Sequence, residues 1–337
     1  MTPLEIALLI QYGGFKISEL EPETDLRRFL RNADPNKVKR FYQRCGEEEI
    51  IKQKDLVRKY NVKLVSFWDE AYPDPLKNMK SPPVVLFVRG NEKLLRERCV
   101  SVVGTRRPTA YGVSVTKRFV KMLSEHFVVV SGMALGIDSV AHRTALENGG
   151  RTLAVLGTGV DKIYPKTNEQ LLARILKNGC VVSEYVMGTN PKKHHFPARN
   201  RIIAGLSEVV IVTEAPAKSG AILTAKFAID NGRDVFAIPG DIDRKTSEGT
   251  NYLIKSGAYP LTCEEDLIFY FGITRKSSFS VNQHQREIYE LLKVSPKSVD
   301  DLAEELGWEI SEVLKTISEM EIMGLIESTG GIYRALG

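Results

Sequence analysis

The amino-acid sequence predicts an α/β fold: a Rossmann-like, doubly wound, mostly parallel sheet, with a small helical N-terminal domain and a C-terminal winged-helix domain. Three observations predict it. Between residues 100 and 260, short Val/Ile/Leu runs alternate with stretches of helical periodicity. Near-continuous apolar strands separated by helices form a parallel sheet covered on both faces. Residues 1–60 carry apolar positions at helical spacing, and residues 281–337 hold three helix-sized segments followed by a short hairpin.

Taken in order, residues 1–60 form a SAM-like or helix-hairpin-like domain. PLEIALLIQYGGF and KVKRFYQRCGEEEIIKQKDLVRKY repeat apolar residues with helical period, and Asn32, Asp34, Pro35 and Asn36 mark a turn between them. Packing or partner contact is the expected role, with the basic stretch Lys37 to Arg44 open to a DNA backbone as the alternative. Residues 61–275 form the central domain with its lead-in segment. Pro73, Pro75, Pro82 and Pro83 exclude a long helix there, while Val84 to Val88 reads as a buried strand. The strand and helix series then runs from CVSVVG to VFAIPG. A polar linker, Lys276 to Ser280, precedes the winged helix of residues 281–337, whose hairpin turns at Gly330-Gly331. Its third helix carries Glu309, Glu312, Glu319 and Glu321 against a single Lys315. Winged helices often present that helix to duplex DNA, but so acidic a face repels phosphate, and a protein contact is expected instead.

Composition narrows the class. The 337 residues are 43% hydrophobic and 26% charged, ordinary values for a globular protein. No apolar run approaches the roughly 18 residues that cross a bilayer. The first residues, MTPLEIALLI, carry Glu5 and no basic region, so a secretory signal is not expected. Cys45, Cys99, Cys180 and Cys263 are scattered without a C-x-x-C pair, which fits a reducing cytoplasm and neither a disulfide scaffold nor a zinc module. The net charge of +5 divides unevenly. Residues 281–337 have 5 basic and 11 acidic side chains, leaving 42 basic and 31 acidic in residues 1–280. A basic body thus carries an acidic tail domain.

Ligands of open parallel sheets bind beyond the carboxyl ends of the strands. There the sequence places Gly104-Thr105-Arg106, Ser131-Gly132, Gly157-Thr158-Gly159 and Ser219-Gly220. Glycine turns admit close approach and helix N-termini offer free N–H groups, a combination suited to phosphate. The dinucleotide pattern G-x-G-x-x-G and the Walker pattern are both missing, which disfavours nicotinamide or ATP, and no cofactor is expected. The most informative stretch runs from Lys192 to Arg201, KKHHFPARNR. Four cations, two histidines and an aromatic share a loop leading into a helix, as single-stranded nucleic acid requires. His194 and His195 are adjacent and diverge, so no metal is expected. Asp138 and His142, four apart on a helix, could serve acid/base chemistry, but a structural cap is the simpler reading. Ser131 and Ser183 lack the nucleophile-elbow pattern, and no catalytic residues are identified.

The succession GTRRPTAYG, SGMALGIDSVAH, GTGVDKIYP, FPARNRIIAGLS, TEAPAKSGAILTAKFA and VFAIPGD resembles the DNA-processing protein A (DprA, also called Smf) family over about 140 residues. The resemblance implies a non-enzymatic single-stranded DNA-binding protein that protects incoming DNA and loads a RecA-type recombinase during natural transformation. It also implies a homodimer formed through the Rossmann-like domain. By position, Arg106 and Lys193 would contact phosphate, Phe196 would stack on a base, and Arg199 and Arg201 would line the same basic pocket. Gly104, Gly132 and Gly220 would let the strand approach the backbone, and Thr105 keeps a hydroxyl where the family often has serine. The alternative reading is a phosphoribohydrolase of the related lysine-decarboxylase-like (LOG) fold. Its P-G-G-x-G-T-x-x-E signature would align near SGAILTAKFA, which supplies no carboxylate. A transcription regulator acting through the winged helix is a third option, opposed by the acidic third helix.

Overall fold

Nine strands form one sheet whose order, not merely its existence, places the functional site. A computed structural model describes residues 1–273 and 282–336, so the linker expected at Lys276 to Ser280 lies outside the described residues. The strands are β1 (Lys63–Ser66), β2 (Val85–Gly90), β3 (Cys99–Val103), β4 (Val128–Ser131), β5 (Thr152–Val155), β6 (Cys180–Ser183), β7 (Val209–Val212), β8 (Asp234–Ala237) and β9 (Tyr259–Pro260). Their order is β1-β2-β6-β5-β4-β3-β7-β8-β9. From β6 to β9 all neighbours are parallel, whereas β2 runs antiparallel to β6 and β1 antiparallel to β2. The chain therefore winds outward from β3 through β4, β5 and β6, then returns to the other side of β3 with β7. Such a reversal leaves a crevice at the carboxyl ends of β3 and β7, because the loops leaving them go to opposite faces.

Every residue of β3 through β7 is buried, as expected of strands covered on both faces. Alternation along β2 shows the two faces. Leu86 and Val88 join a cluster with Val130, Val155, Ile202, Leu206 and Val212, under the helices His195–Leu206 and Gly220–Asp230. Val85 and Phe87 turn to the opposite cluster, with Leu4, Leu8, Phe41 and Ile175. The helices of residues 1–60 thus share one core with the sheet. The first of them, Pro3–Leu8, starts in a Thr2–Glu5 capping box and packs on β1 and β2. The helix Glu47–Lys59 is tied down by buried Gln53, whose side chain exchanges hydrogen bonds with the Met187 amide and carbonyl at 3.1 and 2.9 Å. The chain divides into two compact units only after Leu267.

In the second unit the helices Gln283–Val294, Val299–Leu306 and Ile310–Ile322 enclose Ile288, Leu302, Val313, Ile317 and Met320. Strand β10 (Lys297–Ser298) pairs with β12 (Ile332–Ala335), which pairs with β11 (Ile326–Thr329). The β11–β12 turn is Gly330-Gly331, at φ of 61° and 83°, the double positive φ of a tight hairpin. On the third helix Glu309, Glu312 and Glu321 are exposed beside Ile310 and Leu314, so its outer face is acidic and apolar. Among the described residues no helix is long and apolar enough to cross a membrane.

Candidate nucleic-acid interface

The switch point holds a cleft of about 630 Å³. The segments that follow β3, β5, β6 and β7 build most of its walls. The turn after β3 brings Thr105, Arg106 and Arg107; the loop after β5 brings Tyr164; the loop after β6 brings Lys193 and the helix His195–Leu206 that follows it Phe196 and Asn200; the turn after β7 brings Lys218 and the N-terminus of helix Gly220–Asp230. Thr105 is buried, and its amide donates to the Glu214 carbonyl at 2.7 Å, locking the first turn to the last. Its hydroxyl accepts from the Arg107 amide at 3.3 Å. These bonds fix the backbone while leaving Arg106 and Arg107 exposed.

Charge and surface in the cleft point one way. Arg106, Arg107, Lys193 and Lys218 are exposed, and among the described residues no ion pair to a carboxylate involves any of the four. The Arg106 guanidinium lies 5.9 Å from the centroid of the Phe196 ring, and Phe196 is half-buried with Tyr164 5.3 Å away. The acids close by are occupied. Asp138 accepts from the Gly132 and Ala134 amides at 3.2 Å each, and Glu214 accepts from the Thr109 amide at 2.9 Å at the start of helix Ala110–Leu123. Free cations, an aromatic face and a helix N-terminus together suit a phosphodiester strand bearing planar bases.

Arg199 has a different place from the one its motif suggests. It borders the cleft but is only 4% exposed, and its guanidinium donates to the carbonyls of Gly132 and Val155, at the ends of β4 and β5. Burial pulls its pKa down to about 10, against the opposing charge of Asp138. It is a brace for two strand ends. Arg201 does not reach the cleft at all. Two residues apart on a helix point to nearly opposite sides, and Arg201 pairs at 2.5 Å with Glu184, whose own pKa burial raises. The expectation that both arginines line one basic pocket is corrected accordingly.

The glycines are also put to other uses. A Cβ on Gly132 would lie 2.7 to 2.8 Å from the Arg199 guanidinium, and one on Gly104 would lie 2.6 Å from Ile137 Cγ1. At both positions a side chain is excluded by neighbouring protein atoms, although Gly104 itself borders the main cleft. Gly220 alone of the three faces free space, with Asn200 Nδ2 the nearest atom at 3.8 Å. His194 and His195 diverge as adjacent residues must. His195 turns inward, bonding the Gly157 carbonyl at 3.1 Å and stacking on Tyr185, while His194 is exposed. Lys218, Asn200 and Tyr164 also belong to the cleft, beyond the binding residues that the sequence motifs mark. Lys218 could have been found, since it precedes the Ser219-Gly220 turn at a strand's carboxyl end. Tyr164 sits in a loop whose approach to Phe196 has no local signal.

Asp138 and His142 do not serve one another. His142 is fully buried, its Nδ1 2.6 Å from the Thr152 hydroxyl, and burial together with Arg199 lowers its pKa to about 3. The unfolded chain therefore takes up this proton first, and His142 costs stability progressively as pH falls from about 6.5 towards 3. Imidazole NMR shifts should report a neutral His142 at about pH 4.5, where an exposed histidine is charged. A charged ring at that pH would contradict its burial.

Fold and cleft together define a class: a doubly wound α/β protein with a cationic, aromatic cleft at its switch point, joined to a winged helix. Residues 63–272 match the family model described as DNA recombination-mediator protein A, and residues 274–331 match the DprA winged helix domain. The chain belongs to the DNA recombination-mediator protein A (DprA) family. It is 46% identical over 206 residues to the DNA processing protein DprA of Streptococcus pneumoniae, spanning 61% of this chain and 73% of that one. Protein Smf of Escherichia coli is 37% identical over 290 residues, 81% of this chain and 77% of its own. The X-ray structure of the S. pneumoniae protein superimposes with a TM-score of 0.67 at 38% identity, over 80% of this chain and 93% of that chain. A structure of DNA processing protein A from Helicobacter pylori, described for its single-stranded DNA binding mode, gives 0.57 at 33% identity, over 62% and 95%.

Proposed function

We propose that the chain binds single-stranded DNA in the switch-point cleft and acts, without catalysis, as a recombination mediator. It protects incoming DNA and loads a RecA-type recombinase during natural transformation, in the cytoplasm and as a homodimer formed through the Rossmann-like domain. The winged helix contacts protein rather than duplex DNA. The observation that carries the binding reading is the meeting of Phe196 with Arg106 at 5.9 Å, among exposed and unpaired cations. Duplex DNA buries its base faces; only an unpaired strand offers a base to a ring. The H. pylori relative's described binding mode supports the same choice. Arg106, Lys193 and Phe196 make side-chain contacts, Thr105, Gly104 and Gly220 shape the approach, and Gly132, Arg199 and Arg201 support the loops.

Fluorescence anisotropy with a strand of about 30 nucleotides and its matching duplex tests this. Single strand should bind more tightly, with a log–log salt slope of roughly −0.7 per neutralised phosphate. Arg106→Ala should weaken binding and make the slope shallower by about 0.7. Equal affinity for strand and duplex, or no effect of Arg106, would reject the reading. Free base released from nucleoside monophosphates would favour the phosphoribohydrolase reading instead.

A further inference from the structure

A smaller hollow of about 70 Å³ opens beside the main cleft, against Phe196. Leu135, Tyr164, Pro165 and Phe196 wall it, with Arg106 and the buried Arg199 also at its border. Leu135 and Tyr164 are each 45% exposed, large apolar side chains left together at the mouth of a cavity. Scattered exposed hydrophobics are normal, but adjoining ones on a concave surface mark a contact site. Both are held in place. Leu135 precedes Gly136, whose φ is +77° and whose missing Cβ would lie 2.3 Å from the Thr105 carbonyl, so this turn is pinned against the first glycine turn. Tyr164 is set by its ring contact with Phe196, centroids 5.3 Å apart and planes inclined at 38°. That spacing is within the range where aromatic rings attract. At that inclination the two rings are tilted and not stacked face to face.

We propose that this hollow is a second base subsite, in which Tyr164 stacks one nucleobase while Phe196 stacks its neighbour and Leu135 completes the apolar wall. It rests on the single-strand reading above and extends it from one stacked base to two. Size sets the ligand. A site for a whole small molecule needs roughly 300 Å³ or more, so the hollow takes the edge of a base while sugar and phosphate stay in the main cleft with Arg106 and Lys193. Its walls contain no Asn, Gln, Asp or Glu side chain. The stacking part of recognition uses ring faces, which every base possesses, and so tolerates sequence.

Photocross-linking of the full chain to a single strand carrying 5-iodouracil gives a readout without any substitution. Adducts are expected at both Tyr164 and Phe196. Tyr164→Leu should weaken strand binding roughly 5- to 150-fold at an unchanged salt slope, because it removes a ring and no charge. Tyr164→Phe should keep nearly the original affinity, since the phenol oxygen takes no part in stacking. On a strand made abasic throughout, Tyr164→Leu and the parent chain should bind alike. Adducts at Phe196 alone, full affinity in Tyr164→Leu, or an equal loss on the abasic strand would overturn the second subsite and leave the Phe196 site standing. No adduct at either ring, with binding indifferent to Arg106, would overturn both.

Discussion

Arg199→Met should lower the stability of the first unit by about 3–5 kcal/mol, the range for removing one partner from a buried charged network. Three losses combine. The Gly132 and Val155 carbonyls lose their buried donor, at about 1–3 kcal/mol for each group left unsatisfied. Asp138, whose pKa burial already raises, loses the positive charge that pulls it back down. The effect should depend on pH with a definite sign. A buried carboxylate with a raised pKa prefers its neutral form in the folded state, so its penalty is smallest at acid pH and grows as pH rises through the folded value. Arg199→Met should therefore cost less in acid than at neutrality. Adding Asp138→Asn should recover part of the loss, since the two sites are coupled. Urea unfolding of the single and double variants at two pH values checks this. A phosphate-contacting Arg199 would behave otherwise, losing DNA affinity with little loss of stability and no coupling to Asp138.

Phe196→Ala should weaken single-strand binding by about 1–3 kcal/mol while leaving the salt slope unchanged. The ring is half-buried, so the cost to folding is smaller than for a core phenylalanine, and its exposed part meets Arg106 in the cleft. Stacking is short-ranged and largely insensitive to salt, whereas the cations act through counterion release. Anisotropy titrations at several salt concentrations separate the two. A shallower slope in Phe196→Ala would mean that the ring acts by positioning Arg106, and unchanged affinity would remove Phe196 from the interface. Together with Arg106→Ala, the experiment divides the cleft into a charge component and a ring component.

The KKHHFPARNR stretch shows how far local pattern carries. Its charge density and single aromatic were legible as a strand-binding signal, and Lys193 and Phe196 do face the cleft. Arg199 and Arg201 look equivalent in the same run, yet one braces β4 and β5 and the other pairs with Glu184. Helical phase explains why they diverge. Which one turns under the sheet ends depends on what helix His195–Leu206 packs against. Gly132 is a similar case, since its need for glycine comes from an arginine 67 residues away in sequence.

By itself the sequence determined the strand and helix series, the parallel sheet, the winged helix with its Gly330-Gly331 turn, and the family. Each is written in local periodicity, turn chemistry or the order of short motifs. Tertiary structure alone decided that the reversal lies between β3 and β7, and that the loops after β3, β5, β6 and β7 converge on one cleft. It also decided that Tyr164 meets Phe196, and that the helices of residues 1–60 share a core with the sheet. The physical reason is that strand order and loop convergence are set by contacts between residues distant in sequence, which local patterns of burial and charge do not encode.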